Sequence, residues 1–438
     1  MHMSHSGLPI IDLTNRCNLT CPVCFANANA AGYLYEPSFG EIVKILESLV
    51  NQKPVRMNMV QFSGGEPTVR PDFLDIVRKA KEMDFEYIQV NTNGIKMADF
   101  EFAQAAKEAG VQNLYLQFDG VTDDVYQKTR SKPLLDYKLK TIENCRKLKI
   151  DVVPVVTLVK GFNDHQVGEI IKFAVNNIDV ISGIAFQPVS FVGRFSQAHR
   201  LERRYTLADL AKDIEKQTGY IDVMRDWFPI GVTSAISKLA TALSGKQMYT
   251  LTLHPHCSQG TYFYIGTDGS VKPIGSFINM EPFLRDLIEL SRSVSPSSFG
   301  LLSKVKILHK LKKHFIEKNA PQGLTFEKFL QSLEGYQDKS RRRIYAGEEG
   351  KGRFYRNFFI AGMHFMDAYN FSVERVMRCV IHYPDPKGHL YPFCAYNGAG
   401  YRKRVESKFK LTPEQLKEKI IAEGRPKELE LIAKKMGI

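Results

Sequence analysis

The first 190 residues of this 438-residue chain alternate between two hydrophobic periods, and that alternation restricts the fold more than any other property. Six short β-rich runs recur: PIIDLT (9–14), NMVQFSGG (58–65), YIQVNTNG (87–94), NLYLQFDG (113–120), DVVPVVTLV (151–159) and GIAFQP (183–188). Between them, segments such as FGEIVKILESLV (39–50), DFLDIVRKAKEM (72–83) and FEFAQAAKEAG (100–110) repeat their apolar residues at spacings of three and four, the period of a half-buried helix. Right-handed crossover of such βα units gives a parallel sheet with helices outside. Six of them predict an α/β fold of the partial (β/α)6, TIM-like barrel kind. Chemistry in such folds gathers at the C-terminal ends of the strands. The residues placed there are Cys17, Gly64, Gly65, Glu66, Asn91, Asn93, Asp119, Thr157 and Gln187.

The loop after the first run, NRCNLTCPVCFANANA (15–30), holds three of the chain's seven cysteines, with Pro22 stiffening it. Composition decides how to read them. Hydrophobic residues at 44% and charged residues at 24% are ordinary globular usage, with no low-complexity tract or internal repeat. The start MHMSHSGLPIIDL lacks the apolar stretch of a signal peptide, and no run reaches the roughly 20 apolar residues needed to span a bilayer. The chain is therefore expected to be cytoplasmic, where thiols stay reduced, and an odd, clustered cysteine set favours metal over disulfides. Structural zinc would need a second pair of ligands to close its tetrahedron, and none lies nearby in sequence. Three thiolates on a 4Fe-4S cluster leave one iron open, so a bound small molecule can supply the missing ligand.

The C-x3-C-x2-C spacing of Cys17, Cys21 and Cys24 resembles the motif of the radical S-adenosylmethionine (radical SAM) superfamily, and FSGGEPT (62–68) resembles its GGE motif. A GGE alone would read as a strand-to-helix turn capped by Thr68 and Pro71. Val23 departs from the aromatic residue usual at its position. The resemblance implies that Cys17, Cys21 and Cys24 hold a 4Fe-4S cluster whose open iron chelates the methionine moiety of SAM, and that one electron cleaves the sulfonium. The deoxyadenosyl radical so formed abstracts hydrogen from an unactivated carbon. It implies cofactor contacts from Gly64, Gly65, Glu66, Asn93, Asp119, Thr157, Asn163 and Gln187, with the strand around Ile184 to Phe186 beside adenine. For the later residues, loop capping is the plain alternative. An electron donor such as ferredoxin or flavodoxin is implied as partner.

Beyond residue 190 the βα rhythm stops, which divides the chain into a barrel domain (1–190, its core extending to about 230), an extension (191–405) and C-terminal helices (406–438). Segments 206–217 and 232–244 read as helices, and TYFYIGTDGSVKPI (261–274) as a hairpin with a DG turn. The late cysteines Cys257, Cys379 and Cys394 are candidates for an auxiliary 4Fe-4S cluster completed by His254 or His256, or else are separate packing thiols. Cys145, in KTIENCRKLK, reads as packing.

CNLTCPVCFA, the HPHC phrase beside the TDG hairpin and VIHYPDP...PFCAYN together resemble the archaeal tetraether lipid synthase group and its bacterial relatives, over about residues 8–405. That implies coupling of isoprenoid lipid chains at unactivated carbons. Methylation of a pterin cofactor or other substrate is the alternative within the same branch. The group's upstream cysteine-rich segment and rubredoxin-like site are not carried over, since none of the sixteen residues before Cys17 is cysteine. A net charge of +13 suits an anionic partner. LLSKVKILHKLKKHFIEK (301–318) has a lysine-flanked apolar stripe that could lie at a membrane surface or pack as an ordinary surface helix, and RNFFIAGMHFMDAYNF (356–371) could line an apolar tunnel or fill a core. The non-enzymatic alternative, a basic metal-stabilised nucleic-acid binder, lacks the aromatic platforms or recognition helix of such modules, and no nucleic-acid partner is expected.

Overall fold

A computed structural model describes residues 4–53, 55–244, 252–266, 268–293, 301–334 and 355–422. Its strands are β1 (Leu8–Asp12), β2 (Met59–Ser63), β3 (Tyr87–Thr92), β4 (Asn113–Gln117), β5 (Asp151–Leu158), β6 (Gly183–Pro188), β7 (Phe228–Pro229), β8 (Ser258–Gly266), β9 (Val271–Pro273), β10 (Tyr355–Met363), β11 (Ile381–Pro384) and β12 (Leu390–Pro392). Every β-rich run in the first 190 residues becomes a strand. The helices between them are α1 (Phe39–Val50), α2 (Phe73–Glu82), α3 (Phe100–Ala109), α4 (Asp123–Arg130), α5 (Leu135–Leu148) and α6 (Val167–Asn176). The chain forms two compact units, one of Ser6–Ile150, Ser190–Arg204 and Phe365–Ile438, the other of Met1–His5, Asp151–Val189 and Tyr205–His364.

In the first unit β1 pairs in parallel with β2, β2 with β3 and β3 with β4, and on its other side β1 pairs in parallel with β11, which carries antiparallel β12. These strands are short and mostly buried, as a parallel sheet covered on both faces requires. The helices follow from local chemistry. Ser38 caps α1 and Glu41 closes the capping box, while Ile42, Ile45, Leu46 and Leu49 bury one face. Asp99 caps α3 by accepting from the Phe102 N–H. The helix Tyr401–Glu406 is fixed beneath β1 by Arg402, which bonds Asp12 (2.5 Å) and Glu406 (2.8 Å) and lies over the rings of Tyr383 and Tyr396.

The second unit orders its strands β5-β6-β10-β8-β7, with β9 hairpinned onto β8 across the Asp268-Gly269 turn. The aromatic segment 356–371, which the sequence left between tunnel lining and core, enters β10. It lies between β6 and β8, with Phe358, Ile360 and Ala361 buried. It fills a core. The basic stretch 301–318 supplies the helix Leu301–Lys312, in which Ile307 and Leu311 are buried in a cluster with Phe277, Phe283 and Phe329. Lys310 bonds Glu289 (2.8 Å), Lys313 Asp286 (3.0 Å) and Lys312 Glu327 (3.0 Å). From Ile307 onward it is a packed surface helix. Among the described residues no helix is long and apolar enough to cross a membrane.

Candidate active site

The C-terminal ends of β1 to β4 meet around the cysteine loop. The GGE turn must approach that loop closely: the Gly65 N–H donates to the Thr14 carbonyl (2.7 Å) and the Glu66 N–H to the Arg16 carbonyl (2.8 Å). A Cβ on Gly64 would sit 2.2 Å from the Thr14 oxygen, and one on Gly65 2.1 Å from the Arg16 oxygen. Gly64 also has a φ of +135°. The two glycines thus let two backbones touch.

Cys17, Cys21 and Cys24 are free, half-buried thiols on that loop. Burial, with Glu66 and the neighbouring Cys21 and Cys24 adding negative charge, pushes the Cys17 thiol up to about 12. Thiols that feel one another's charge in this way suit a cation that would replace their protons. Among the described residues, no three His, Cys, Asp or Glu side chains are drawn together into a finished metal-holding group. The donor set nevertheless fits an iron-sulfur cluster, with three sulfurs on one short loop and no fourth protein ligand in its sequence.

Residues with no motif to announce them hold the loop. Asn29, left-handed at φ +63°, accepts from the Cys17 N–H (2.9 Å) and donates to the carbonyls of Cys17 (2.7 Å) and Leu19 (3.2 Å). The Arg194 N–H donates to the Cys24 carbonyl (2.9 Å), and its guanidinium donates to the carbonyls of Cys21 (2.9 Å) and Ala28. Arg130 donates to the Val23 carbonyl (3.0 Å) and grips Asp119 with two bonds of 2.6 and 3.0 Å. Leu19, Tyr126 and Leu134 pack against Cys17 and Cys21.

The GGE glutamate and the strand-end residues prove to be tied to the chain itself. Glu66 is buried, and its two oxygens accept from the Thr68 N–H and hydroxyl (3.2 and 2.6 Å), the Thr92 hydroxyl (2.8 Å) and the Asn93 N–H (2.7 Å). Burial raises its carboxyl, opposed by those four donors. Asn93 donates to Asn18 Oδ1 (2.6 Å), joining β3's end to the cysteine loop, and Asn91 donates to Ser63 (3.1 Å). Burial pushes the Asp119 carboxyl up, but Arg130's charge and hydrogen bonds outweigh it and hold the group below the usual carboxylate range. In the second unit, Thr157 and Gln187 are register partners on β5 and β6. Asn163 caps its own loop, accepting from the Val159 N–H (3.0 Å) and donating to the Thr157 carbonyl (2.9 Å).

The late cysteines have local partners. The Cys379 thiol donates to the Ile381 carbonyl (3.1 Å), buried Cys394 Sγ accepts from the Met366 N–H (3.3 Å), and the Cys257 N–H bonds the His254 carbonyl (2.9 Å). His254 and His256 stack edge to face at 4.9 Å. Cys145 is buried in α5, as packing requires.

Lys138 on α5 is wholly buried, its ammonium donating to the Asn93 carbonyl and to Gln117 Oε1 (2.7 Å), 5.7 Å from the centre of the Tyr126 ring. Burial pushes it down to about 7. The unfolded chain then holds a proton that the native state lacks between about pH 7 and the ordinary lysine value. Stability is therefore lowest below pH 7 and rises with pH across that window. Relative to Lys138→Met, the natural protein should gain about 1.4 kcal/mol per pH unit between pH 7.5 and 9.5. Urea unfolding of both at pH 7.5, 8.5 and 9.5 tests this, and parallel curves would mean that Lys138 titrates normally.

Comparison with known proteins follows the same residues. The family model described as the radical SAM superfamily matches residues 11–174. A protein of Methanocaldococcus jannaschii named 7,8-dihydro-6-hydroxymethylpterin dimethyltransferase is 41% identical over 421 residues, covering 95% of this chain and 81% of that protein. A GTP 3',8-cyclase of Limosilactobacillus fermentum is 27% identical over 226 residues, covering 50% of this chain and 63% of the cyclase. Among solved structures, Streptococcus suis SuiB is similar at 20% identity and a TM-score of 0.41, covering 50% of this chain and 47% of SuiB.

Proposed function

The chain belongs to the radical SAM superfamily, with its partial-barrel α/β fold and its 4Fe-4S and SAM cofactors, and we propose that within it the chain is a radical methyltransferase of a reduced pterin. The observation that carries this reading is the 41% identity to a pterin dimethyltransferase, sustained over 95% of the chain and so well beyond the barrel motifs. Coupling of lipid chains, the expectation from the sequence strings, has no support in these relatives. The first half of the aromatic segment that motivated a lipid tunnel, residues 356–363, is taken up by β10.

A 4Fe-4S cluster and SAM, when bound, supply one-electron cleavage of the sulfonium and hydrogen abstraction from carbon, with further SAM as the methyl source. Cys17, Cys21 and Cys24 would hold the cluster. Asn29, Arg130 and Arg194 hold the loop's carbonyls, so its three sulfurs are presented from a backbone fixed at several points. Glu66 and Lys138 both bond the Asn93 backbone, one at its N–H and one at its carbonyl, and so fix the strand end that faces Asn18. Preorganisation of this kind is how a scaffold keeps reacting groups aligned. The test is anaerobic incubation with SAM, a low-potential reductant and either 7,8-dihydro-6-hydroxymethylpterin or phospholipid vesicles. S-adenosylhomocysteine and deoxyadenosine should accumulate together with the pterin. Product formation on phospholipid alone would reject the reading.

A further inference from the structure

Across β2, β3 and β4, the face of the sheet that turns away from α5 is polar. The other face carries Val60, Phe62, Ile88, Val90, Leu114 and Leu116, all buried, and Leu116 lies against Thr141 of α5, since a Cβ on Gly94 would sit 2.7 Å from the leucine and 3.1 Å from the threonine. Alternation then puts Gln61 and Ser63 of β2, Gln89 and Asn91 of β3, and Asn113 and Tyr115 of β4 on the opposite face. Register sets them in rows, with Gln61 beside Gln89 beside Asn113, and Asn91 beside Tyr115. Amides along β3 tie each row to a neighbour: Gln89 donates to Asn113 Oδ1 (2.7 Å), Asn91 to Ser63 Oγ (3.1 Å) and, just past the strand, Asn93 to Asn18 Oδ1 (2.6 Å) in the cysteine loop. A column of amides thus descends from the cysteine loop along this face. Its lower end is unfinished. Gln61 and Asn113 are 3% and 0% exposed, yet Gln61 Oε1 and Asn113 Nδ2 have no hydrogen-bond partner among the described residues, while Asn91 and Tyr115 above them are partly exposed. A buried donor or acceptor left unpaired costs about 1–3 kcal/mol, so one of each left open in a single row marks a place that a ligand completes.

We propose that this column seats the ring of the organic substrate, and that Gln61 and Asn113 read the amide edge of a neutral pyrimidinone, Gln61 by accepting from its ring N–H or amino group and Asn113 by donating to its carbonyl oxygen. The occupant follows from the chemistry of the side chains, which are all uncharged hydrogen-bonding groups. An alkyl chain would leave them unpaired, and a phosphate would find no cation among them. A flat heterocycle with an N–H beside a carbonyl satisfies both open groups at once. From residue 89 to residue 93 the chain rises about 13 Å, more than the length of a bicyclic ring. A ring held at Gln61 and Asn113 therefore keeps its far, carbon edge toward the Asn93 rung that touches the cysteine loop. The inference deepens the pterin reading and rests on it.

The test is anaerobic titration calorimetry of the cluster-loaded protein with 7,8-dihydro-6-hydroxymethylpterin and with its 2,4-diamino counterpart, in which an amino group replaces the ring carbonyl and the ring N–H is lost. The natural protein should prefer the pterin by about tenfold or more, because a site built to bond a group rejects the analogue that lacks it. Gln61→Met and Asn113→Leu should each bind the pterin about tenfold more weakly and cut that preference to about threefold or less. Gln61→Met, of like length, keeps the test open should Asn113→Leu fail to fold, and it supplies a second readout. Without ligand its urea midpoint should equal or exceed that of the natural protein, since an apolar side chain replaces an unpaired amide. A lowered midpoint with unchanged pterin affinity would assign Gln61 to packing and overturn the proposal. Unchanged affinity in both variants would overturn it and leave the pterin reading standing, whereas a natural protein that binds neither ring would overturn both.

Discussion

Replacing Cys17, Cys21 and Cys24 together by alanine should abolish reductive SAM cleavage, with deoxyadenosine falling to the level of a protein-free control. The argument is one of ligand count. Three thiols are the whole protein complement of this loop, and all are free and half-buried on it. Each single variant leaves two sulfurs, too few to hold a cluster with one open iron, so the single variants should behave like the triple one. Because Cys17 is pushed up to about 12, cluster assembly must displace thiol protons and should release acid on loading. Far-UV circular dichroism should be unchanged in the triple variant, since Asn29, Arg130 and Arg194 hold the loop through its backbone carbonyls and the sulfurs add only the weak Leu19 N–H contact to Cys17 (3.4 Å) and side-chain packing. Deoxyadenosine from the folded triple variant would show that the cluster sits elsewhere.

The second large effect is expected at Arg130. Its side chain is buried against Asp119 with bonds of 2.6 and 3.0 Å and also carries the Val23 carbonyl. Arg130→Met leaves Asp119 as a buried carboxylate with its cation removed. Breaking a buried pair from one side costs about 3–5 kcal/mol, whereas removing both charges is far milder. Urea midpoints should therefore fall strongly for Arg130→Met and recover at least half of the loss in Asp119→Asn/Arg130→Met. Arg130→Lys should rescue only partly, because an ammonium cannot reproduce the two-pronged grip and reach Val23 as well. Iron retained after anaerobic desalting should fall in the single variant, since the cysteine loop loses an anchor. A single variant within 1 kcal/mol of the natural protein would contradict the assignment.

The repeating strands and helices are visible in the sequence because each depends on a local period, and the runs at 151–159 and 183–188 differ from β5 and β6 by at most one residue. The glycines of GGE are legible as a close approach, but their partners are Thr14 and Arg16, some fifty residues earlier, which no spacing rule connects. Glu66 reads as a ligand from its motif, whereas its donors Thr92, the last residue of β3, and Asn93, just after it, become apparent only when β2 and β3 pair. Arg194 and Asn29 carry no local signal at all, because their role is to bond carbonyls brought near by the fold. Lys138 does carry one. It occupies a stripe with Thr141, Ile142 and Cys145, all buried, at the three, four and seven spacing where an apolar residue belongs. A lysine inside such a stripe is expensive unless it has partners, and it finds them in Asn93 and Gln117.

Transfer of label from SAM carrying a trideuterated methyl group tests the central claim most directly. The protein is incubated anaerobically with this SAM, a low-potential reductant and 7,8-dihydro-6-hydroxymethylpterin, and the pterin is examined by mass spectrometry. A radical methyltransferase predicts pterin heavier by one or two deuterated methyl groups, with S-adenosylhomocysteine and deoxyadenosine formed alongside. Deoxyadenosine without any label in the pterin, from protein whose cluster is intact, would contradict it.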